Sequence, residues 1–320
     1  MAEWVILAVN SIALGGLLFL LSAGFSLIFG LMRIPNLMHG SFFMLGAYLG
    51  VSMIQGGVHI GSTAAAYPGT IGAIIRSALS LVNGIAQIVP HPNFFVAALM
   101  SGVTVGLIGA FIERFLLRRL AGQELAQVLL TLGLSFIVAD VCLMVWTGDP
   151  WQPPTPAQLR GALQMAGVFF PIYRLAIILI AVVVAIALWL LIDWTRLGAM
   201  IRAGVDDAPI ARVVGIKVSQ LFTLIFALGA ALAAFAGVIG APVLSIYPGL
   251  DAEMLPLALI VVILGGTGSL VGTLVGSFLI GFLYNFGQAK APDLAYVILF
   301  LPMVAVLVLR PQGLFGKVVP

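Results

Sequence analysis

The side chains able to do chemistry are few and gathered in one place. Only 8% of the 320 residues are charged. Four of the fourteen basic residues, Arg196, Arg202, Arg212 and Lys217, fall within residues 193–220. Asp193, Asp206 and Asp207 share that stretch, and the chain on both sides is strongly apolar. Elsewhere the candidates stand alone. His39 and Asn36 lie in the run Arg33-Ile-Pro-Asn-Leu-Met-His-Gly. Asp140 sits inside an apolar run, where a carboxylate costs at least about 2.5 kcal/mol at the bilayer centre; it belongs either to a polar pathway or to the outer boundary. No serine or cysteine nucleophile stands with a base and an orienting group. Asp206 and Asp207 have no second acidic pair at metal-ligand spacing. No GxxxxGK[ST] loop occurs, so a nucleotide that drives this protein must bind to another chain. No catalytic, cofactor-binding or metal-binding residue is assigned. No cluster resembles a proton relay or an ion-coupling site.

The elements that hold these residues are apolar. The chain is 62% hydrophobic, whereas a soluble domain carries about 25% charged residues. A surface this poor in charge belongs in lipid, so the chain reads as an all-α, polytopic integral membrane protein forming one transmembrane domain over residues 1–320. The 37 glycines suit helices whose backbones approach closely. The single cysteine, Cys142, permits no disulfide framework, and no basic run suggests nucleic acid. The N-terminus lacks a cleavable leader pattern, so its first apolar run is expected to remain as a span.

A span needs roughly 20 apolar residues. Candidates cover 4–31, 37–54, 94–112, 125–146, 171–192, 221–241 and 295–309. Residues 55–93 form a long outer segment with a helical apolar period from Ile71 to Ile85, and 147–170 is a proline-rich irregular stretch. A loop with Asp251 and Glu253 follows the span at 221–241. Residues 255–287 are too long for one ordinary span and are interrupted by Gly265, Gly266, Thr267, Gly268 and Ser269. They read as a broken helix pair, giving about eight membrane segments. Gly268, Gly272, Gly276 and Ser277 are expected on one helix face, for packing; a break of this kind also serves substrate sites. Asn36 and His39 either shape the inner gate or cap the second helix and satisfy a carbonyl.

Basic residues orient the chain. With the N-terminus outside, the cytoplasmic face collects Arg33, Arg114, Arg118, Arg119, Arg196, Arg202, Arg212, Lys217, Arg310 and Lys317. The outer face keeps only Arg76, Arg160, Arg174 and Lys290. The parity requires that 255–287 enter and leave by one face. The C-terminus is then cytoplasmic, and 193–220 is a cytoplasmic loop on which a soluble partner could act.

Several stretches carry a family resemblance: residues 10–48, ERFLLRRL at 113–120, TLGLSFIVAD at 131–140, TRLGAMIRAGVDDAPIARVVGIKV at 195–218, and LPLALIVVILGGTGSLVGTLVGSFLIG at 255–281. The chain resembles the membrane permeases of ABC importers for branched-chain amino acids, a family that also includes urea and short-chain amide permeases. It looks like the smaller of the two paired permease types. The resemblance implies a bacterial inner-membrane subunit that works by alternating access and binds no cofactor itself. It implies two ATP-binding subunits inside, a homologous permease partner (a second, identical copy being the other arrangement), and a periplasmic binding protein that delivers substrate. It also implies a coupling helix at 206–215. There Ala208, Ile210, Ala211 and Gly215 would be contact residues, and Arg202 and Arg212, beside Asp206 and Asp207, would make polar contacts. The rival reading of that loop is a solvated segment whose arginines only orient the chain. Two features depart from the family pattern: 55–93 is extended, and little chain follows the last span. The substrate expected is a branched-chain or other small amino acid, with urea or a short amide next. A stand-alone carrier or channel is the alternative class, and a membrane enzyme a third.

Overall fold

The structure is a computed structural model. It describes residues 2–32, 36–56, 69, 72–73, 76–77, 80, 83–84, 92–165 and 168–316. The outer segment expected at 55–93, and with it Arg33 and Lys317, lies almost wholly outside the described residues.

Eleven α-helices are described. They are α1 (Ala2–Met32), α2 (His39–Ile54), α3 (Phe94–Phe115), α4 (Glu124–Trp146), α5 (Ile172–Trp194), α6 (Arg196–Asp206), α7 (Ala208–Val213), α8 (Val218–Gly240), α9 (Leu250–Gly265), α10 (Leu270–Lys290) and α11 (Ala295–Leu309). Seven helical segments are long and apolar enough to cross a membrane; α2, α9 and the two loop helices α6 and α7 are not among them. The stretch read as irregular at 147–170 contains a 3-10 turn at Ala157–Leu159 and an antiparallel hairpin of β1 (Ala162–Met165) and β2 (Val168–Pro171), with Ala162 opposite Pro171.

The chain divides into two compact units, each assembled from separated stretches: 1–35, 155–229 and 256–320 in one, 36–154 and 230–255 in the other. In the first unit α1 is buried on every side through its middle, where Leu18, Phe19, Leu20 and Leu21 are all at or below 1% exposure. A helix apolar all round is a core helix. It runs antiparallel to α10. A Cβ on Gly30 would stand 2.5 Å from Gly268 Cα, one on Gly15 would stand 2.9 Å from Phe278 Cα, and one on Gly281 would stand 2.5 Å from the Ser11 carbonyl oxygen. At the far end Lys290 pairs with Glu3 at 3.2 Å and lies over the Trp4 ring. Small residues at these crossings let the two backbones touch, which is how membrane helices gain packing without a hydrophobic drive between them.

In the second unit α2 crosses the end of α8, where a Cβ on Gly237 would meet the Phe43 carbonyl and the Ala47 amide. Ser101 of α3 donates to the Gly46 carbonyl at 2.7 Å. Trp146, the last residue of α4, stacks on Tyr48 and donates to Ser52 Oγ at 2.7 Å. The outward faces of the long helices stay apolar at one-turn spacing: Leu99, Val103, Leu107 and Phe111 on α3, and Leu179, Val183, Ile186 and Leu190 on α5. Such stripes are stable in lipid and not in water, so the chain is a multi-pass membrane protein.

The interrupted segment at 255–287 consists of α9, a turn at 266–269, and α10. Gly265 is the last residue of α9. Gly266 and Gly268 have φ of +97° and +77°, a conformation glycine adopts without strain. Gly268 therefore lies in the turn rather than on the helix face expected of it. Gly272 and Gly276 do share a face: a Cβ on Gly276 would stand 2.9 Å from the Val261 carbonyl. Ser269 caps α10, its Oγ accepting from the Gly272 amide at 3.0 Å, which satisfies one orphan donor of the first turn. Residues 310–316 close the other side. The Leu314 and Phe315 amides donate to the Leu264 and Gly265 carbonyls at 2.9 and 3.0 Å, meeting acceptors that a helix C-terminus leaves open.

Candidate functional site

The polar island at 193–220 folds as two short helices in sequence. Thr195 caps α6, its Oγ1 accepting from the Gly198 amide at 3.1 Å. Gly198, Ile201 and Gly204 recur every third residue on the buried face, so α6 is amphipathic and lies against its own unit. Asp207 breaks the helical path. Its backbone is extended, and its Oδ1 accepts from the Ile210 amide at 2.9 Å to start α7, with Pro209 in the first turn. An aspartate cap followed by proline is a strong helix start. The end is equally defined. Gly215 has φ +88°, its amide donates to the Arg212 carbonyl at 3.1 Å, and the Ile216 amide donates to Ala211 at 3.0 Å. These are the two bonds of a Schellman stop.

The helix expected at 206–215 is thus narrower, at Ala208–Val213, because Asp206 ends the preceding helix, Asp207 serves as the cap and Gly215 lies past the stop. Ala211 also needs correcting as an outward contact residue: it is 2% exposed and turned inward. The outward apolar residues are Ile210, Val213 and Val214, at 63, 89 and 73% exposure. The sequence reading missed the two valines; with Asp207 as cap, the i, i+3, i+4 period groups Ile210, Val213 and Val214 on one face. Arg212 and Lys217 flank this patch and are exposed. Arg202 is engaged within the chain, donating to the Ile192 carbonyl and pairing with Asp193 at 3.3 Å. The side chains of Asp206 and Ala208 lie outside the described residues.

The remaining candidates are scattered. Asn36 and His39 are buried at the start of α2, at 3 and 0% exposure. Asn36 Oδ1 accepts from the Met38 amide at 3.1 Å and its carbonyl accepts from the His39 amide at 3.1 Å. Its side chain therefore holds the turn before the helix, and Met38 occupies the cap position. Asp140 is exposed on α4, six residues before its end at Trp146. Asp251 lies in the first turn of α9 rather than in a loop; it is 8% exposed and accepts from Ser41 Oγ at 2.9 Å. Gly265 ends α9, and Gly266, Gly268 and Ser269 belong to the turn described above, where Ser269 is a cap. Among the described residues no group of three His, Cys, Asp or Glu could hold a metal ion.

Among the described residues, helices of membrane length flank in sequence a pair of short loop helices that carries an exposed apolar patch. That is the build of a transporter's membrane subunit. Residues 7–307 match the family described as the permease component of branched-chain amino acid transport systems, and the chain belongs to that family. Among its relatives is the high-affinity branched-chain amino acid transport system permease protein BraD of Pseudomonas aeruginosa, 27% identical over 318 residues, which cover 97% of this chain and 94% of the relative. LivH of Salmonella typhimurium, a permease of the same description, is 25% identical over 317 residues, covering 96% and 94%. A more distant similarity reaches the autoinducer 2 import system permease protein LsrC of Klebsiella pneumoniae, 32% identical over 178 residues, about half of each chain. No solved structure matches.

Proposed function

We propose that this permease subunit carries branched-chain or other small amino acids inward, driven by ATP that separate subunits hydrolyse. The observation that carries the reading is the patch of Ile210, Val213 and Val214 on a rigidly capped helix. Three adjacent apolar side chains standing out of a charged loop are costly in water, and they suit the groove of a soluble partner. A short helix closed at both ends can pass the partner's movement to α5 and α8, the spans it joins. The family and the names of its full-length relatives support the substrate class. The positive-inside excess supports a cytoplasmic face for 193–220 and the C-terminus, with the N-terminus outside, and the family supports a bacterial inner membrane. A homologous permease subunit completes the pathway, and a periplasmic binding protein delivers the substrate. Nucleotide stays on the ATP-binding subunits.

The test is ATP-driven uptake in proteoliposomes with Ile210→Glu and Val213→Glu. A charge buried at a docking interface should lower partner affinity by at least about tenfold. Uptake and uptake-linked ATPase stimulation are expected to fall together, with membrane insertion unchanged. Wild-type coupling in both variants would contradict the reading.

A further inference from the structure

Among the described helices α2 and α9 are apolar and too short to cross a bilayer, as is α11 without the 3-10 turn that precedes it. α2 and α9 have 16 residues each, about 24 Å at the helical rise, against a hydrocarbon core of about 30 Å. They occupy corresponding places. α2 follows the long helix α1, and α9 follows the long helix α8 after the non-helical residues 241–249. Short apolar segments at matching positions in two parts of a carrier point to helix ends that hold a substrate inside the membrane.

The first turns of these two helices meet. A Cβ on Gly40 would stand 2.5 Å from the Asp251 carbonyl oxygen and 3.0 Å from Leu255 Cβ, and Ser41 donates to Asp251 Oδ2 at 2.9 Å. The meeting point is not at the end of the neighbouring helix. The Leu37 amide donates to Thr131 Oγ1 at 3.3 Å. Thr131 is seven residues into α4, or about 10 Å along it from Glu124.

This junction offers complements to both charges of an amino acid. Asp251 is a buried carboxylate, and among the described residues no cation pairs with it. A carboxylate removed from water needs a cation or several donors; the Ser41 hydroxyl is one. The Gly40 and Ser41 amides belong to the first turn of α2, which helix geometry leaves without helical acceptors and whose dipole favours an anion. Beside them Asn36, pinned to the same turn through Oδ1, has its buried Nδ2 without a hydrogen-bond partner among the described residues.

We propose that the meeting of the α2 and α9 first turns is where this chain holds its substrate. Asp251, oriented by Ser41, takes the α-ammonium group. Asn36 Nδ2 and the Gly40 and Ser41 amides take the α-carboxylate. The two turns touch at Gly40, so the substrate enters as they part. The inference rests on the amino-acid reading above. The competing account is that Ser41 and Asp251 merely tie two helices together.

Equilibrium binding decides between them. Radiolabelled leucine, isoleucine and valine are bound to the permease–ATPase assembly in nanodiscs, with the matching 2-hydroxy acids, which lack the ammonium, as competitors. Asp251→Asn should weaken amino-acid binding by roughly tenfold to a hundredfold and leave competition by the 2-hydroxy acids within about twofold. Glu253→Gln, exposed in the same turn, should bind as wild type. If Asp251→Asn does not assemble, Ser41→Ala, which keeps the carboxylate, carries the test with the same selective loss. Wild-type affinity in the variant that assembles, or equal loss of both probe classes, overturns the inference. So does an assembly that transports amino acids with its binding protein yet binds none here. If the complete wild-type system transports no amino acid, the functional reading falls and takes this inference with it.

Discussion

Glu113 shows how one residue's setting decides its worth. It lies in the last turn of α3 at 1% exposure, and Arg118 reaches it with two bonds, Nε to Oε1 at 3.3 Å and Nη2 to Oε2 at 2.9 Å. The Arg118 side chain is 33% exposed, so removing it costs Glu113 this counter-ion but less than the roughly 3–5 kcal/mol of a fully buried pair. Arg118→Met is therefore expected to lower the thermal midpoint of the detergent-solubilised protein by several degrees. Glu113→Gln combined with Arg118→Met should recover most of that loss, because no buried charge remains. Equal destabilisation in the single and double variants would contradict the pairing. At this scale the sequence was partly legible. The run ERFLLRRL marked a charged end to a span, but not which arginine turns inward. That depends on the change from α-helix to a 3-10 turn at Leu117–Leu120, which shifts side-chain directions by more than composition can reveal. The loop gave a similar lesson. Its motif was visible, yet Ala211 rather than Val213 read as a contact residue, because the position of the Asp207 cap sets the phase of so short a helix.

Among the elements, the contact between α1 and α10 depends most on side-chain size. Gly281 stands where a Cβ would lie 2.5 Å from the Ser11 carbonyl oxygen and 2.9 Å from Gly15 Cα. Backbone cannot yield as a side chain can, so Gly281→Leu must push the helices apart. Overpacking of this kind costs about 1–3 kcal/mol or more. The variant is expected to insert with normal topology but to lose folded yield and thermal midpoint, while Val275→Leu, exposed on the same helix, should match wild type. Unchanged stability in Gly281→Leu would show that the crossing is looser than described. The glycine content of the sequence pointed to close packing in general, while the small-residue spacing at Gly272 and Gly276 marked the contact with α9 rather than this crossing. Neither foretold that Gly268 belongs to the turn, nor that residues 310–316 return to bond the end of α9. That return is a long-range pairing, and no local period announces it.

For the whole molecule, composition settled what the solvent is. A chain with so little charge and with apolar stripes on the outward faces of α3 and α5 needs lipid. The division into two units could not be read from the sequence, because α8 and α9 each begin in one unit and end in the other, with no linker or change of composition at the boundary. The single permease domain expected over 1–320 thus contains two compact units interleaved along the chain. The loop between α5 and α8 stood out by charge alone, and its folded form is a capped pair of helices with an apolar patch. Everything proposed for that patch requires it to face the cytoplasm. In a Cys142→Ala background, Val213→Cys is placed on the patch and Phe169→Cys on the exposed β2 strand. Each is treated with a membrane-impermeant maleimide in intact cells and in inside-out vesicles. Val213→Cys should label in the vesicles alone and Phe169→Cys in intact cells alone. Labelling of Val213→Cys from outside intact cells would contradict the account.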